Sequence, residues 1–406
     1  MRILMLSDVY FPRVNGVSTS IATTRKTLHG LGHHTTLVAP AYPGADSSEH
    51  APGDVLLRVP GRRIPFDPED QLMRWGSLRR LANRLSPDDY DVIHIHTPFM
   101  AHRLGVLLGR RWGLPVVETY HTFFEEYLHH YLPILPSFLA RAVARRLSRN
   151  LQLGVDGFVV PSSAIATALQ DYGMDIPLRV VPTGLDLEEF TPGDRAAFCQ
   201  RHGLDPARPI LVYVGRVAHE KNIGFLLEML ARVRKRVPEV MLVIAGDGPA
   251  KAALQRKAQR LALARNVLFI GYLPRGQALW DCFAAGDAFV FASKTETQGL
   301  VLLEALALGV PVVSYAALGA RDVLTPGCGA VIVEGGVEDF AADVIGLLRD
   351  PVRRGCLAEA AVRYARDWST HRTSQRLVAF YQDVIDGRRH PETAAYLDSG
   401  LRRNDV

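Results

Sequence analysis

Short apolar runs alternate with helical patterns along the first half of the chain. Apolar residues repeat every three to four positions over Val17–Leu31 and Phe99–Trp112, which predicts two helices there. The runs that predict strands are Arg2–Leu6, Thr35–Ala39, Asp91–Ile95, Val116–Thr119, Gly157–Val160 and Arg179–Val181. Strands that alternate with helices are typical of parallel sheets with crossover connections.

The alternation stops between Pro182 and Pro209, where proline and glycine recur, and then starts again. The strands predicted in the second half are Ile210–Val214, Val240–Ala245, Val267–Ile270, Ala288–Ala292 and Val310–Ser314. A helical pattern follows from Asp350 to Gly387. We therefore expect an α/β chain with two Rossmann-like, doubly wound parallel sheets. The sheets should face a cleft and bind ligands at the carboxyl ends of their strands.

The length of 406 residues suits two domains. We assign residues 1–187 to a first domain, 188–208 to a linker and 209–369 to a second domain. A helix at about 370–387 is expected to pack back on the first domain, and the polar residues 388–406 are expected to form a tail.

The composition of the chain indicates which kinds of partner it binds and in which cellular compartment it works. The net charge of +5 is mildly basic, and the basic residues do not run with aromatics, so we expect no nucleic-acid partner. An anionic ligand or membrane surface fits this charge better. Four scattered cysteines disfavour a zinc site or disulfide framework and suit a reducing cytosol. The most apolar stretch, Leu300 to Ala320, contains Glu304 and Pro311, so it predicts a buried helix and strand and not a membrane span.

A glycine and two cations follow the strand predicted at Ile210–Val214. Gly215 lets the backbone approach a ligand closely. Arg216 offers phosphate a planar fork, and Lys221 offers a point charge. A diphosphate could bind at this carboxyl edge of the sheet. The alternative is a solvated turn with two surface cations.

Two glutamates lie eight residues apart around the start of an apolar helix. Glu304 is predicted inside that helix, where a carboxylate without a partner is costly, and ribose hydroxyls would supply donors. Glu296 precedes the helix and can reach the hydroxyls of a sugar. Backbone N–H groups around Gln298, Gly299 and Leu300 lie at the helix N-terminus, which favours phosphate. The alternatives are a core carboxylate paired internally for Glu304 and an exposed loop acid for Glu296.

The loop between the first strand and the first helix lies where a nucleotide-binding sheet places its phosphate loop. It holds Gly16 but lacks the G-x-G-x-x-G pattern, which disfavours an ordinary dinucleotide site. A plain strand-to-helix turn is the alternative.

Histidines also lie at predicted strand ends. His121 follows the strand Val116–Thr119 and should therefore face the cleft, although a structural histidine is the alternative. His94 and His96 share one face of another strand by alternation. Because no third ligand is suggested, we expect no metal site.

Together these residues resemble the retaining family-four glycosyltransferases of the two-Rossmann GT-B fold, over about Met1 to Gly387. The matching motifs are the paired glutamates Glu296 and Glu304, the diphosphate signature Gly215-Arg216 with Lys221-Asn222, and Ala245-Gly246-Asp247-Gly248-Pro249. These motifs are specific for the family, but not for the donor or the acceptor.

The resemblance implies a role for each charged residue. Arg216 and Lys221 would neutralise the donor diphosphate, Glu304 would hold the ribose hydroxyls, and Glu296 would hold the transferred sugar. Such enzymes generally need neither a metal nor a cofactor beyond the nucleotide-sugar. Transfer is expected on the same face of the sugar, with retention of its anomeric configuration.

The resemblance also assigns roles to uncharged groups. The amides around Gln298, Gly299 and Leu300 would contact the sugar and a phosphate, and Gly16 would let the first loop close on the diphosphate. His121 would bind near the reactive face of the donor sugar. The expected catalytic set is His121, Glu296, Arg216 and Lys221.

The first half resembles bacterial diacylglycerol glycosyltransferases and phosphatidylinositol mannosyltransferases in particular, at residues 15–20, 94–99 and 119–122. A helix near residue 140 supports this resemblance. Its apolar face includes Phe138 and Leu139, and arginines recur every four residues at Arg141, Arg145 and Arg149. Such a basic amphipathic helix suits an anionic lipid surface. A packed helix with a solvated basic side is the alternative.

We therefore expect transfer of a hexose, with UDP-glucose as the first choice of donor, to a membrane lipid such as diacylglycerol. The enzyme is expected at the cytoplasmic, inner face of the cell membrane. Alternatives within the family are a GDP-mannose-dependent mannosyltransferase and a transferase for a soluble or polysaccharide-precursor acceptor. Alternatives outside it are a sugar-nucleotide epimerase or hydrolase, a nicotinamide oxidoreductase and a non-catalytic binding protein. The missing G-x-G-x-x-G pattern disfavours the oxidoreductase, and the complete set of charged motif residues disfavours the non-catalytic protein.

Overall fold

The computed structural model describes residues 1–13, 15–42, 54–64, 67–121 and 137–389. The chain divides into two units. The first contains Met1–Gly184 and the segment from Thr370 onward, and the second contains Leu185–Ser369. Each unit has its own sheet and its own hydrophobic core.

The first unit is built on a parallel sheet with helices on both faces. Its strands are β1 (Arg2–Leu6), β2 (His34–Pro40), β3 (Val55–Val59), β4 (Gly61–Ile64), β5 (Asp67–Met73), β6 (Val92–Ile95), β7 (Val116–Thr119), β8 (Gly157–Val160) and β9 (Leu178–Val180). Its helices are α1 (Gly16–Gly30), α2 (Trp75–Ala82), α3 (Met100–Trp112), α4 (Ser137–Leu151), α5 (Ser163–Asp171) and, from the end of the chain, α14 (Thr370–Arg389), with a 3-10 turn at Pro87–Asp89.

Among the described residues, seven strands of this unit form one sheet in the order β3-β2-β1-β6-β7-β8-β9. All of its pairings are parallel, and the central strands are buried on both faces, as crossover helices require. Strands β4 and β5 form a separate antiparallel pair. The sequence prediction missed β3, β4 and β5. Charged residues break their apolar pattern, as in Arg58 of β3 and Asp67 of β5.

Two helices cover one face of this sheet. Ile21 and Leu28 of α1 pack into the same core as Phe380 and Tyr381 of α14. The last helix of the described residues therefore completes the core of the first unit. Helix α1 begins at Gly16 because the Asn15 side chain accepts the N–H of Ser18 at 2.8 Å, one residue earlier than the apolar pattern indicates.

The second unit repeats the parallel arrangement. Its strands are β10 (Ile210–Val214), β11 (Met241–Ala245), β12 (Val267–Gly271), β13 (Ala288–Phe291), β14 (Val312–Ser314) and β15 (Ala330–Ile332). Its helices are α6 (Arg195–His202), α7 (Ile223–Val233), α8 (Lys251–Arg260), α9 (Gln277–Ala284), α10 (Leu300–Ala307), α11 (Ala320–Val323), α12 (Val337–Arg349) and α13 (Pro351–Ala365), with 3-10 turns at Leu187–Glu189, His219–Lys221 and Arg366–Trp368.

Within residues 185–369, the sheet order is β12-β11-β10-β13-β14-β15, and every pairing is parallel. Residues 188–208, which we assigned to a linker, lie in this unit and contain α6. Asp194 caps that helix, and Phe198 and Cys199 are fully buried. The sequence analysis missed α6 because the prolines on both sides of it are typical of a linker. Across the described part of the chain, no helix combines the length and the apolar character needed to cross a membrane.

Candidate functional site

The loop after β10 packs tightly against the loop after β11. Gly215 has a φ of 148°, and Gly246 has a φ of 145°, which are values that residues with side chains rarely adopt. A Cβ at Gly246 would lie 1.9 Å from the carbonyl oxygen of Gly215. The N–H of Val217 donates to the carbonyl of Asp247 at 2.9 Å. The loop after β11 therefore packs against the loop that carries Gly215 and helps to fix its backbone.

We expect Gly246→Ala to lower the free energy of unfolding of the second unit by about 3 kcal/mol, because the new methyl group collides with backbone and the φ is strained. Urea unfolding measures the loss. Gly203→Ala is the matched control, since Gly203 has a φ of 62° but a Cβ there would meet nothing within 4 Å. It should cost only about 1 kcal/mol. Equal losses in the two variants would contradict the tight contact between the loops.

The two charged motifs of the second unit meet in one ion pair. The Nζ of Lys221 donates to Oε1 of Glu296 at 2.6 Å, across 75 positions of the sequence. Both side chains are largely buried, with exposed fractions of 23% and 15%. Asn222 has a φ of 53°, and its side chain donates to the carbonyl of Ala292 at 3.3 Å. These contacts hold Lys221 at the carboxyl edge of the sheet.

Arg216 does not join this pair. Its side chain is exposed, and its carbonyl accepts the hydroxyl of the buried Tyr213 at 3.1 Å. The exposed guanidinium lies one residue beyond Gly215, in the loop that also holds Lys221. The loop therefore presents one fixed cation and one exposed cation.

The backbone of Gly319 packs against the segment that carries Glu296 and holds it in place. The N–H of Gly319 donates to the carbonyl of Glu296 at 2.9 Å. A Cβ at Gly319 would lie 2.0 Å from the carbonyl oxygen of Thr297, so only glycine fits there. Gln298 and Gly299 are buried, and Gly299 turns the chain with a φ of 90° before α10 begins at Leu300. Sequence reasoning missed Gly319 because no motif marks it.

Glu304 has an internal partner that the sequence prediction did not identify. The Nη1 of Arg275 donates to Oε1 of Glu304 at 2.6 Å. The Nε of Arg275 donates to Oε2 of Glu189 at 3.1 Å. Burial raises the pKa of Glu304, and the charge of Arg275 opposes that rise. The alternative of an internally paired carboxylate therefore describes Glu304 in this structure, and the ion pairs do not connect it to Lys221.

Three histidines form a cluster in the first unit. The ring centroids of His94 and His96 lie 4.0 Å apart, and those of His96 and His121 lie 5.6 Å apart. The ring nitrogens of His94 bond the hydroxyls of Tyr381 at 2.6 Å and Thr119 at 2.7 Å. Nδ1 of His96 lies 3.3 Å from Nε2 of His121. His121 thus emerges from the end of β7 beside a buried neighbour.

Burial keeps the whole cluster neutral. It lowers the pKa of His94 to about 3 and that of His121 to about 4, and it lowers the pKa of His96 well below the usual value. Near neutral pH, His121 therefore offers a neutral N–H or a lone pair and not a positive charge. In the described part of the chain, no group of three or more His, Cys, Asp or Glu side chains is arranged to hold a metal ion. Metal independence stays a prediction.

Two carboxyl groups of the first unit are also buried. Asp8 accepts the N–H groups of Met100 at 3.2 Å and Ala101 at 3.1 Å, at the start of α3. Glu118 lies 2.7 Å from Nδ1 of His102. Burial raises the pKa of each carboxyl to about 6. The sequence analysis assigned no role to either carboxyl group.

The remaining predicted residues lie in the first unit. Gly16 is the exposed first residue of α1, and a Cβ there would meet nothing within 4 Å. Arg145 and Arg149 of α4 are exposed, as are the apolar side chains of Val143 and Leu147. The side chains of the other three predicted lipid-facing residues lie outside the described part of the chain; these are Phe138, Leu139 and Arg141.

Two family models match the chain. The model for Glycosyltransferase Family 4 matches residues 14–189, and the model for glycosyl transferases group 1 matches residues 194–368. The alpha-monoglucosyldiacylglycerol synthase of Streptococcus pneumoniae is 33% identical over 78% of this chain and 71% of that protein. The GDP-mannose-dependent alpha-mannosyltransferase of Mycobacterium tuberculosis is 30% identical over 97% of this chain and 99% of that protein.

A solved structure has the same fold, with two units that are each built on a parallel sheet. The sucrose-phosphate synthase of Thermosynechococcus elongatus superimposes with a TM-score of 0.76 over 95% of this chain and 100% of that chain, at 19% identity. At that identity the likeness shows the fold alone. Two parallel sheets, two matching family models and relatives that are named for sugar transfer lead to one conclusion: the chain belongs to the family-four glycosyltransferases of the GT-B fold and is an enzyme that transfers a sugar.

Proposed function

We propose that the chain is a retaining glycosyltransferase that moves glucose from UDP-glucose to diacylglycerol at the cytoplasmic face of a membrane. The observation that carries the proposal is the contact of 2.6 Å between Lys221 and Glu296. In this proposal the contact brings the cation that would bind phosphate to the carboxylate that would bind the sugar, at one sheet edge. Both residue types are needed to hold a sugar diphosphate.

The second unit would bind the donor. An ammonium group has three N–H donors, and Glu296 takes one from Lys221, which leaves others for phosphate oxygens. Arg216 would add a second cation from the same loop. Both charges would stabilise the leaving nucleoside diphosphate as the glycosidic bond breaks. Glu296 and Glu304 would accept hydrogen bonds from the sugar and ribose hydroxyls, and the amides of 298–300 would contact sugar and phosphate.

The stereochemical part of the proposal is same-face transfer, in which the leaving phosphate assists the incoming hydroxyl. His121 of the first unit would bind near the reactive face of the sugar. Because burial lowers its pKa to about 4, His121 would act there as a neutral hydrogen-bonding group. Gly16 leaves open space at the start of α1, which suits a loop that closes on a diphosphate.

The acceptor part rests on the relative from Streptococcus pneumoniae, whose name specifies glucose and diacylglycerol. The chemistry of α4 supports a lipid surface. Val143 and Leu147 have exposed fractions of 36% and 42%, and the same helix carries the exposed arginines Arg145 and Arg149. A helix that exposes both apolar and cationic side chains suits the interface of an anionic membrane.

We expect the double variant Arg145→Gln/Arg149→Gln to bind anionic vesicles about 30-fold more weakly, because each cation near such a surface contributes about 1 kcal/mol. Sedimentation with vesicles that contain about 30% anionic lipid measures the effect. The control is Arg256→Gln/Arg260→Gln on α8, two exposed arginines at the same spacing, which should bind like the wild type. Equal binding by both double variants would exclude α4 as the membrane-contacting surface.

A second candidate is a GDP-mannose-dependent mannosyltransferase. The relative from Mycobacterium tuberculosis favours it, because the match covers 97% of this chain at 30% identity.

The deciding experiment is a product screen with UDP-glucose, UDP-galactose, UDP-glucuronate and GDP-mannose, with and without diacylglycerol vesicles of varied anionic content. We expect release of UDP from UDP-glucose that depends on diacylglycerol, and an α-linked glucosyl lipid. Turnover of GDP-mannose alone would favour the second candidate. Absence of turnover with every donor, with and without diacylglycerol, would contradict the proposed function.

A further inference from the structure

Arg275 lies at the centre of a cluster of charged and aromatic side chains in the second unit. It donates to Glu304 at 2.6 Å and to Glu189 at 3.1 Å. Its guanidinium also lies over the ring of Phe190, 5.4 Å from the centroid, and over the ring of Trp280, 5.3 Å from the centroid. These four contacts fix the side chain, although it comes from the loop between β12 and α9.

We propose that Arg275 is a positioning residue for the donor ribose: it holds Glu304 ionised and fixes one of its oxygens, so that the other is directed at the ribose hydroxyls. This inference rests on the proposed function, because it takes Glu304 as the ribose-binding acid. Arg275 itself belongs to none of the motifs that define the donor site.

The Glu304 carboxylate has enough acceptor positions for both Arg275 and a ribose. An ionised carboxylate has two oxygens and about four acceptor positions. Arg275 uses one position on Oε1, which is the only hydrogen bond or ion pair that the described residues make with the Glu304 carboxylate. Two ribose hydroxyls can therefore bind while Arg275 stays in place. A neutral carboxyl group would instead present a hydroxyl donor and would accept the same hydrogen bonds less well.

Arg275 is better anchored than an ordinary surface arginine. Its side chain is 35% exposed, and Glu304 is 13% exposed. Trp280 is in turn fixed, because its Nε1 donates to the carbonyl of Glu189 at 3.0 Å. Cation–π contacts with two rings and a second carboxylate limit the rotamers open to the guanidinium. Arg275 therefore loses its side-chain entropy when the protein folds and not when a ligand binds.

The electrostatics of Glu304 support the same role. Burial raises its pKa, the charge and hydrogen bond of Arg275 lower it, and the charge of Glu189 raises it again. Arg275 and Glu189 are the charged groups that act on Glu304. Loss of Arg275 would leave burial and Glu189, both of which favour the protonated form. The affinity of an Arg275 variant for a ribose should then increase as the pH rises.

The test is calorimetric binding of UDP and 2′,3′-dideoxy-UDP, which differ only in the two ribose hydroxyls. For Arg275→Met at pH 7, we expect the affinity for UDP to fall about tenfold, as for loss of a charge-assisted hydrogen bond, and the affinity for the dideoxy probe to change less than about twofold. Between pH 6 and pH 9, the variant should recover most of the lost UDP affinity, whereas the wild type should change little.

Three further variants separate this role from a structural one. Arg275→Met/Glu304→Gln should bind UDP no more weakly than Glu304→Gln alone, because Arg275 acts through Glu304. Arg275→Lys should restore part of the affinity. Glu189→Gln, which removes the other carboxylate partner, should stay within about threefold of the wild type.

Equal losses for both probes in Arg275→Met, or a loss that does not depend on pH, would overturn the inference and leave Arg275 a structural residue. UDP binding by Arg275→Met like the wild type would overturn it as well. Failure of the proposed function looks different, because the wild type itself would then not bind UDP.

Discussion

Lys221→Ala is expected to lower kcat by about 10²–10³-fold while the second unit stays folded, because one preorganised donor to a developing negative charge contributes about that much. The ammonium group lies 2.6 Å from Glu296, so its removal also leaves a largely buried carboxylate without its cation. Both effects act on the site and not on the core. The measurement is steady-state release of nucleoside diphosphate, with circular dichroism to follow the fold.

The chain offers a matched control for this variant. Lys257 also bonds a glutamate, Glu228, at 2.5 Å, and its exposed fraction of 29% is close to the 23% of Lys221. Lys257→Ala should retain turnover within about twofold, since this ion pair lies between helices and a single partly exposed pair contributes little. Comparable losses of turnover in the two variants, or near-normal turnover of Lys221→Ala, would remove Lys221 from the catalytic set.

Acidification should destabilise the first unit strongly. From pH 7 to pH 5, we expect its free energy of unfolding to fall by about 3 kcal/mol. His94, His96 and His121 have depressed pKa values in the folded protein, so the unfolded chain takes up protons at these positions as the pH falls below 6.5. This loss begins near pH 6.5 and continues down to about pH 4.

The two buried carboxyl groups act in the opposite direction. The pKa values of Asp8 and Glu118 are raised to about 6, so the folded protein binds their protons first and gains stability as the pH falls through 6. Three histidines outweigh two carboxyl groups, and the net effect is a loss. Urea unfolding of the first unit at the two pH values measures it.

A substitution within the cluster makes the pH prediction specific. His96→Phe removes one buried titrating ring, so its free energy of unfolding should fall by only about 1 kcal/mol between pH 7 and pH 5. His371→Phe on the exposed side of α14 is the control and should fall as much as the wild type. A stability of the wild type that does not change over this range would show that the three rings are not held neutral by burial.

The sequence predicted the regular part of the fold because that part depends on local patterns. Strands at Arg2–Leu6, Val116–Thr119 and Ile210–Val214 are confirmed with the same bounds, since short runs of mostly apolar residues are typical of strands buried on both faces. The hairpin β4–β5 and helix α6 were missed. Charged and proline-rich segments acquire their structure from tertiary packing, which no local pattern reports.

The candidate site was predicted only in part, and for a similar reason. The contact between Lys221 and Glu296 follows from two motifs at carboxyl strand ends, which parallel topology brings to one edge. Arg275 lies 29 residues before its partner Glu304, in a loop without a motif, so only the folded structure connects the two. Gly319 was missed because its role, close approach to Thr297, involves backbone atoms alone.

Hydrogen–deuterium exchange with a saturating nucleotide-sugar tests most directly whether the second unit binds the donor through its two charged motifs. Addition of UDP-glucose, or of GDP-mannose if that is the donor turned over, should protect residues 215–222 and 296–307 and leave α8 unchanged. Protection that is confined to the first unit, or no protection at a concentration that supports turnover, would contradict the account.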